Sequence, residues 1–296
     1  MRRKLISQGG KSLTIYLPKK WATEHNLQPG QEVEIAQEGN KLVVSVEKGQ
    51  PEQKVASFTI PDNREVSIRR TLVNAYYRAG YDKLIVSYDY NVIDLIRVVK
   101  DNIIGFEVFT EKPGLYKIES VAEPSYDNFE SIIHKLFFLL FDVLENLEDA
   151  SLEEKVFRVQ RYDNFLKRCL TKHIYTPVES YFLWQFLSCL AEIARECYHY
   201  YQSLQKEKHK LTPTEKEYLQ EVKRRLTLIQ KVYLSNDMDP IFKVHTIRQA
   251  EFFQNTNKKI FPLSAYFITS LVRLTELATS PLSGIIALRN DKSTLV

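Results

Sequence analysis

The chain has 296 residues, 44% of them hydrophobic, and carries 41 Lys or Arg against 37 Asp or Glu, a formal net charge of +4. That length suits two or three domains with sizeable cores, and that composition excludes a disordered, collagenous or disulfide-framed chain. Only nine Gly beside 17 Tyr and 16 Phe fits a mainly helical protein, and Cys169, Cys189 and Cys197, odd in number and without CxxC spacing, read as core thiols of a reducing cytosol.

The basic N-terminus has no apolar run behind it, so it is not read as a signal peptide. The longest pure apolar run, Leu136 to Phe141, is far too short to span a bilayer. A cytoplasmic protein without membrane insertion is expected. Leu13, Ile15 and Leu17 alternate with Ser12, Thr14 and Tyr16, the pattern of a half-buried strand. Pro18 stops strand pairing and suits the first turn of a helix through Lys19 to His25, which Asn26 can close in a left-handed conformation. Pro29-Gly30 is a type II turn signature, Val33 and Ile35 alternate as a second strand, and Gly39-Asn40 predicts a hairpin returning through Leu42, Val44 and Val46.

This strand, short helix, strand and hairpin resemble the AbrB/SpoVT swapped-hairpin DNA-binding fold. The match runs from about Arg2 to Glu47, through the R-K-L opening, the G-x-S-L strand, L-P-K-x-W and L-x-P-G-x-x-V-x-I. The resemblance implies a dimer with interleaved hairpins. Physics agrees, because fewer than about fifty residues with few large apolar side chains make a marginal core alone.

Residues 1–21 hold six cations (Arg2, Arg3, Lys4, Lys11, Lys19 and Lys20) and no Asp or Glu, so the rest of the chain has 35 basic against 37 acidic residues. Lys19 and Lys20 fall at a helix N-terminus, where the macrodipole disfavours cations unless both face an external anion such as a phosphate. In swapped-hairpin proteins the DNA contacts come from the opening strand, the following loop and this helix start. Matched residue by residue, they fall on Arg3, Lys11, Lys19 and Lys20, with Arg2 and Lys4 as neighbours. Three lysines among those four favour the phosphate backbone over bidentate base readout.

Lys48 to Lys54 reads as a linker. Strand Val55 to Ile60, a helix from about Val66 to Ala79 entered through an Asp62-to-Glu65 capping box, strand Leu84 to Val86, and a helix from Asn91 or Asp94 to about Ile103 follow. Phe106 to Thr110 and Leu115 to Ser120 then flank a Pro113-Gly114 turn. Leu72, Ala75, Tyr76 and Ala79 are expected on the inner face of the first helix. No phosphate-binding glycine loop follows any strand, so this α/β segment is read as a spacer, dimerisation or ligand-sensing module.

From Asp127 to Arg289 the period is helical, with helices expected at 126–149, 152–173, 177–208, 213–235, 238–256 and 263–289. Val159 to Phe165 parallels Ile247 to Phe253, each ahead of a breaker and a long helix. Two three-helix units in tandem resemble the PhoU phosphate-regulator fold and, joined to the N-terminal segment, the archaeal regulators that fuse an AbrB-type domain to PhoU-type helices. The expected fold is therefore multidomain α+β: a swapped-hairpin β domain over 1–48, a small α/β domain over 55–122, and a six-helix PhoU-like bundle of two three-helix repeats over 123–296.

PhoU proteins often carry E/D-x-x-x-D ladders that hold a metal cluster, because carboxylates four apart share a helix face. Here the resemblance puts Asp163, Glu192 and Glu196 forward as ligands of a divalent or iron cluster. The ladder is half dismantled: Val159 stands four before Asp163, and Ile247 four before Glu251. Solvated helix faces explain Glu192 and Glu196 equally well, and no other cofactor is indicated. The histidines show no ligand pairing.

The leading reading is a transcriptional regulator, linked to phosphate uptake or homeostasis, that binds double-stranded DNA as a homodimer or higher homo-oligomer. The alternative is a PhoU-like signalling adaptor that binds a phosphate transporter or sensor and uses its N-terminal domain only to dimerise. MazE-like antitoxins share the N-terminal fold but usually carry a short disordered tail, where this chain has a helical half. An enzyme is not expected, since there is no nucleophile elbow, HExxH or phosphate loop.

Overall fold

The computed structural model describes residues 5–8, 12–38, 41–46, 53–60, 66–122, 125–172, 175–240, 244 and 260–291. The chain divides into two compact units, one within residues 1–52 and the other spanning 53–291.

In the first unit, β1 (Ile6–Gln8) pairs antiparallel with β2 (Ser12–Thr14), placing Ile6 opposite Thr14. The apolar alternation continues to Leu17, but the ladder stops at Thr14. Pro18 then stands as the N-cap of α1 (Lys19–Glu24), one position before the first helical turn that the sequence suggests, and its carbonyl accepts the Ala22 N–H at 3.0 Å. Asn26 takes the left-handed conformation (φ 52°), and Gly30 (φ 87°) supplies the turn into β3 (Glu34–Glu38). β3 pairs antiparallel with β4 (Lys41–Ser45). The Gly39-Asn40 turn between them lies outside the described residues.

The second unit begins with a four-stranded sheet in the order β5 (Val55–Thr59), β6 (Lys83–Ser87), β8 (Leu115–Ser120), β7 (Phe106–Lys112). β5 and β6 run parallel because α2 (Val66–Arg78) crosses between them, whereas β7 and β8 form a hairpin. Gly114 turns that hairpin at φ 78°, and a Cβ there would stand 2.8 Å from the Asp89 Oδ1. Leu84, Val86, Tyr116 and Ile118 are buried on one face, while Ile85 and Lys117, at alternate positions, are only half-buried. α3 (Val92–Asn102), capped by the Asn91 side chain on the Ile93 N–H at 3.0 Å, completes the helical layer.

The buried stripe of α2 is Arg69, Val73, Asn74 and Tyr77, and Ala75 is exposed, which corrects the expected inner face by about one position. The helix is wedged between the sheet and a second layer of helices. Its most covered line therefore takes polar side chains that the apolar pattern passes over. The expected capping box at Asp62 to Glu65 lies outside the described residues.

Five long helices follow: α4 (Phe129–Glu145), α5 (Leu152–Thr171), α6 (Pro177–Glu207), α7 (Pro213–Ser235) and α8 (Pro262–Asn290). Thr176 and Thr212 cap α6 and α7, each followed by Pro at the first helical position. α6 and α8 run antiparallel, with the Tyr200 ring stacked on Phe267 at 5.1 Å between centroids and Gly284 facing Phe182. A Cβ on Gly284 would come within 2.6 Å of that ring, so the close approach requires glycine. α8 is long and apolar enough to cross a membrane, yet Phe267, Ile268, Leu271, Val272, Leu282, Ile285 and Ile286 are buried within the protein. Of the helix expected at 238–256, only 238–240 and 244 are described, and the second copy of the expected repeat (Ile247 to Phe253) lies outside the described residues.

α5 packs across α2 and α3, so the α/β segment and the helices, read apart in the sequence, form one unit. The joint is ionic. Buried Arg168 on α5 donates to the Tyr77 and Tyr81 carbonyls at 3.1 and 2.7 Å and to Asp82 at 2.8 Å. Lys172 reaches the same carboxylate at 2.6 Å. Burial pushes the Asp82 carboxyl up, but hydrogen bonds from Lys172 and the Lys54 N–H, with the charges of Lys172 and Arg168, more than offset it, and its pKa lies below the ordinary value.

Candidate nucleic-acid interface

The basic N-terminal segment is the first place to look for chemistry. Lys19 and Lys20 open α1, and both are exposed. The Lys20 ammonium stands 3.8 Å from Glu24, with the two side chains 89% and 57% exposed, a pair screened by water and worth little. Lys19 has no carboxylate partner among the described residues. The Thr23 hydroxyl donates to the Lys19 carbonyl at 2.9 Å and Trp21 packs on His25 with centroids 5.0 Å apart, so the short helix is braced from its other side. Two adjacent exposed ammonium groups on one helical turn can meet two phosphate oxygens along a backbone without reading a base. Arg2, Arg3, Lys4 and Lys11 lie outside the described residues.

Among the residues of this unit whose exposure is described, none is buried, and Leu5, Leu13, Tyr16, Ile35 and Leu42 are each more than 60% exposed. Its four strands make two separate two-stranded ribbons. Such ribbons are marginal in water unless a further surface covers the apolar side chains.

The carboxylates put forward for metal binding sit in the second unit, and the structure gives Asp163 and Glu192 other partners. Asp163 is buried on α5 between Lys167 at 2.8 Å and Arg78 at 3.3 Å. Burial lowers the Lys167 and Arg78 pKa values, and the Asp163 charge opposes that fall in both. Glu192 is held by Arg195. Glu196 is partly buried, and its Oε1 has no hydrogen-bond partner among the described residues. No group of three His, Cys, Asp or Glu side chains converges to hold a metal ion among the described residues.

Sequence reasoning missed a second buried carboxylate, Glu215. Glu215 completes a capping box with Thr212, whose N–H it accepts at 2.7 Å. It also meets the His209 Nε2 at 3.0 Å and accepts the Phe261 N–H at 3.2 Å. The T-x-x-E spacing was visible in the sequence, but the tie to Phe261 depends on the packing of α8. Burial pushes the Glu215 carboxyl up, and these hydrogen bonds bring it below its ordinary pKa.

Residues 6–54 match the model of a family described as antidote-toxin recognition MazE, bacterial antitoxin. The N-terminal stretch is thus similar to MazE-type domains, which are AbrB-like, and a helical region follows it. No curated protein and no solved structure matches the chain.

Proposed function

We propose that the protein is a DNA-binding regulator in which two copies of the N-terminal unit fold together and present their lysines and arginines to duplex phosphates. The observation that carries this reading is the exposure of Leu5, Leu13, Tyr16, Ile35 and Leu42 in that unit, with no buried residue among those whose exposure is described. Each large apolar side chain left in water forgoes about 1.5–3 kcal/mol of burial, and a second copy, presenting the same ribbons, is the surface that recovers it. Pairing also doubles the cation count, which a groove flanked by two phosphate strands requires. The acid-free run 1–21 and the exposure of Lys19 and Lys20 support the choice of nucleic acid as the anion. Like-signed lysine contacts favour affinity for the backbone over a strict sequence code.

The helical unit, on this reading, assembles the dimers further or senses a signal. The likeness of its helices to PhoU makes phosphate status that signal, and makes phosphate uptake the regulated process. A signalling adaptor that docks on a phosphate transporter or sensor is the competing role. The description of the family matched by residues 6–54 also favours a second reading, in which this stretch recognises a toxin. The five described long helices are then unexplained, so the regulator is preferred.

The test combines sedimentation equilibrium with fluorescence anisotropy on labelled duplex DNA, using the full chain. A dimer that binds duplex, and releases it steeply as salt rises, is expected. A monomer at micromolar concentration, or binding indifferent to salt, refutes the proposal. Chromatin immunoprecipitation in high and low phosphate tests the signal separately, and a pull-down that recovers transporter subunits without DNA favours the adaptor.

A further inference from the structure

β7 is the last strand of the sheet and pairs only with β8 among the described residues. Which of its backbone groups face outward follows from the register. The Val121 N–H donates to the Gly105 carbonyl at 2.8 Å, and these residues continue the same antiparallel register as Glu107 with Glu119 and Phe109 with Lys117. Hydrogen-bonded pairs alternate along an antiparallel ladder, so Gly105, Glu107 and Phe109 turn their N–H and C=O groups toward β8. Phe106, Val108 and Thr110 turn theirs away from the sheet, where no described residue pairs with them.

Beside this open edge lies a groove of about 390 Å³ between β7 and α3. Ile96, Val99, Ile103, Phe106 and Val108 give it an apolar lining, and two cations, Lys100 and Arg161, outnumber the one carboxylate that lines it, Glu107. Arg161 holds the Lys100 carbonyl through Nη1 at 3.2 Å, but its Nε is buried without a hydrogen-bond partner. An unpaired edge, apolar room for alternate side chains and a cationic group short of an acceptor meet in one place.

We propose that this edge is a docking site for an extended segment of another protein, added as a fifth strand along β7. Its side chains would alternate, apolar ones dropping into the groove and one acidic one meeting Arg161 and Lys100. A second copy of the chain cannot supply that acid from the edges of this four-stranded sheet. On β7, Glu107 alternates with Phe106, Val108 and Thr110, the residues whose backbone faces outward, and β5 (VASFT) has no acid at all.

The probe is a synthetic array of seven-residue peptides alternating Val or Ile with Thr, carrying Glu, Gln or Lys at one groove-facing position, offered to the full-length protein. Glu peptides are expected to bind, and the Gln versions to bind about tenfold more weakly, the weight of one charge-assisted hydrogen bond. On binding, amide exchange should slow at Phe106, Val108 and Thr110 and stay unchanged at Glu107 and Phe109, which are already paired with β8. Val108→Pro deletes an outward N–H that no ladder bond uses, so it should abolish binding while the fold persists. Ile96→Asp, at an exposed position, should weaken binding without any change to the strand. Equal binding of Glu and Lys peptides, no binding at all, or slow exchange at those three amides before peptide is added overturns the proposal.

Discussion

Replacing Asp163 by Asn tests whether that carboxylate is a structural counter-ion or a metal ligand. Its side chain is 2% exposed, and it lies 2.8 Å from Lys167, itself 5% exposed, and 3.3 Å from Arg78. Asn keeps the volume but removes the charge. Arg78 retains the Asn164 Oδ1 at 2.6 Å, so most of the loss falls on Lys167, left with the Trp184 ring at 5.5 Å. Breaking a buried pair by removing one partner costs about 3–5 kcal/mol. At about 2–4 °C per kcal/mol for a unit of this size, Tm should fall by about 10 °C. Burial already lowers the Lys167 pKa, and losing Asp163 lowers it further. The unfolded chain then binds a proton that the folded one has shed, so stability rises with pH across that interval. The variant's deficit should therefore shrink as pH climbs from its own folded Lys167 pKa to the wild type's, itself below the unfolded lysine value of about 10.4, and stay constant above that. Calorimetry with metal analysis of both proteins decides the matter. A loss below about 1 kcal/mol, or bound metal that disappears with the variant, refutes the counter-ion account.

Lys19→Ala with Lys20→Ala removes four of about eight phosphate-facing cations per dimer, so the slope of log K against log salt should change from about −7 to about −4, read by anisotropy. An unchanged slope places the contacts elsewhere. Asp82→Asn should erase the stability that its depressed pKa contributes: the gap between wild type and variant stays constant above the unfolded Asp value of about 3.9 and closes as pH falls through the lower folded pKa, followed by urea unfolding. Glu215→Ala strands the Phe261 and Thr212 N–H groups and should destabilise the protein by about 2–4 kcal/mol, with Glu215→Gln recovering part of the loss.

Local rules carried the sequence a long way wherever a turn or cap decides the structure. The Asn91 cap, the Pro113-Gly114 hairpin and the Thr176-Pro177 and Thr212-Pro213 helix starts all stand within a residue or two of where composition places them, because each is settled by neighbours in sequence. The acid-free basic run was equally legible, and the small number of large apolar side chains, which suggested a marginal core, agrees with the exposure of Leu5, Leu13, Tyr16, Ile35 and Leu42. What escaped notice is long-range. Arg168 finds Tyr77, Tyr81 and Asp82 from more than 80 residues away, and no periodicity marks an arginine that will be fully buried. Arg225 is similar, held between Glu221 at 3.2 Å and Glu276 at 3.1 Å. The face of α2 was misjudged for the same reason, since Arg69 and Asn74 belong to its covered side.

Arg168 grips the carbonyl that ends α2 and the loop that feeds β6, with Lys172 one turn further on the same carboxylate. A guanidinium fork is stiff, and its acceptors are backbone or backbone-anchored, so α5 can neither slide nor roll without carrying β6 along. The sheet and the bundle are therefore fastened at this joint by the α5 cations, and Arg168→Lys, which cannot span the same acceptors, should loosen β6 and α5 together in amide exchange.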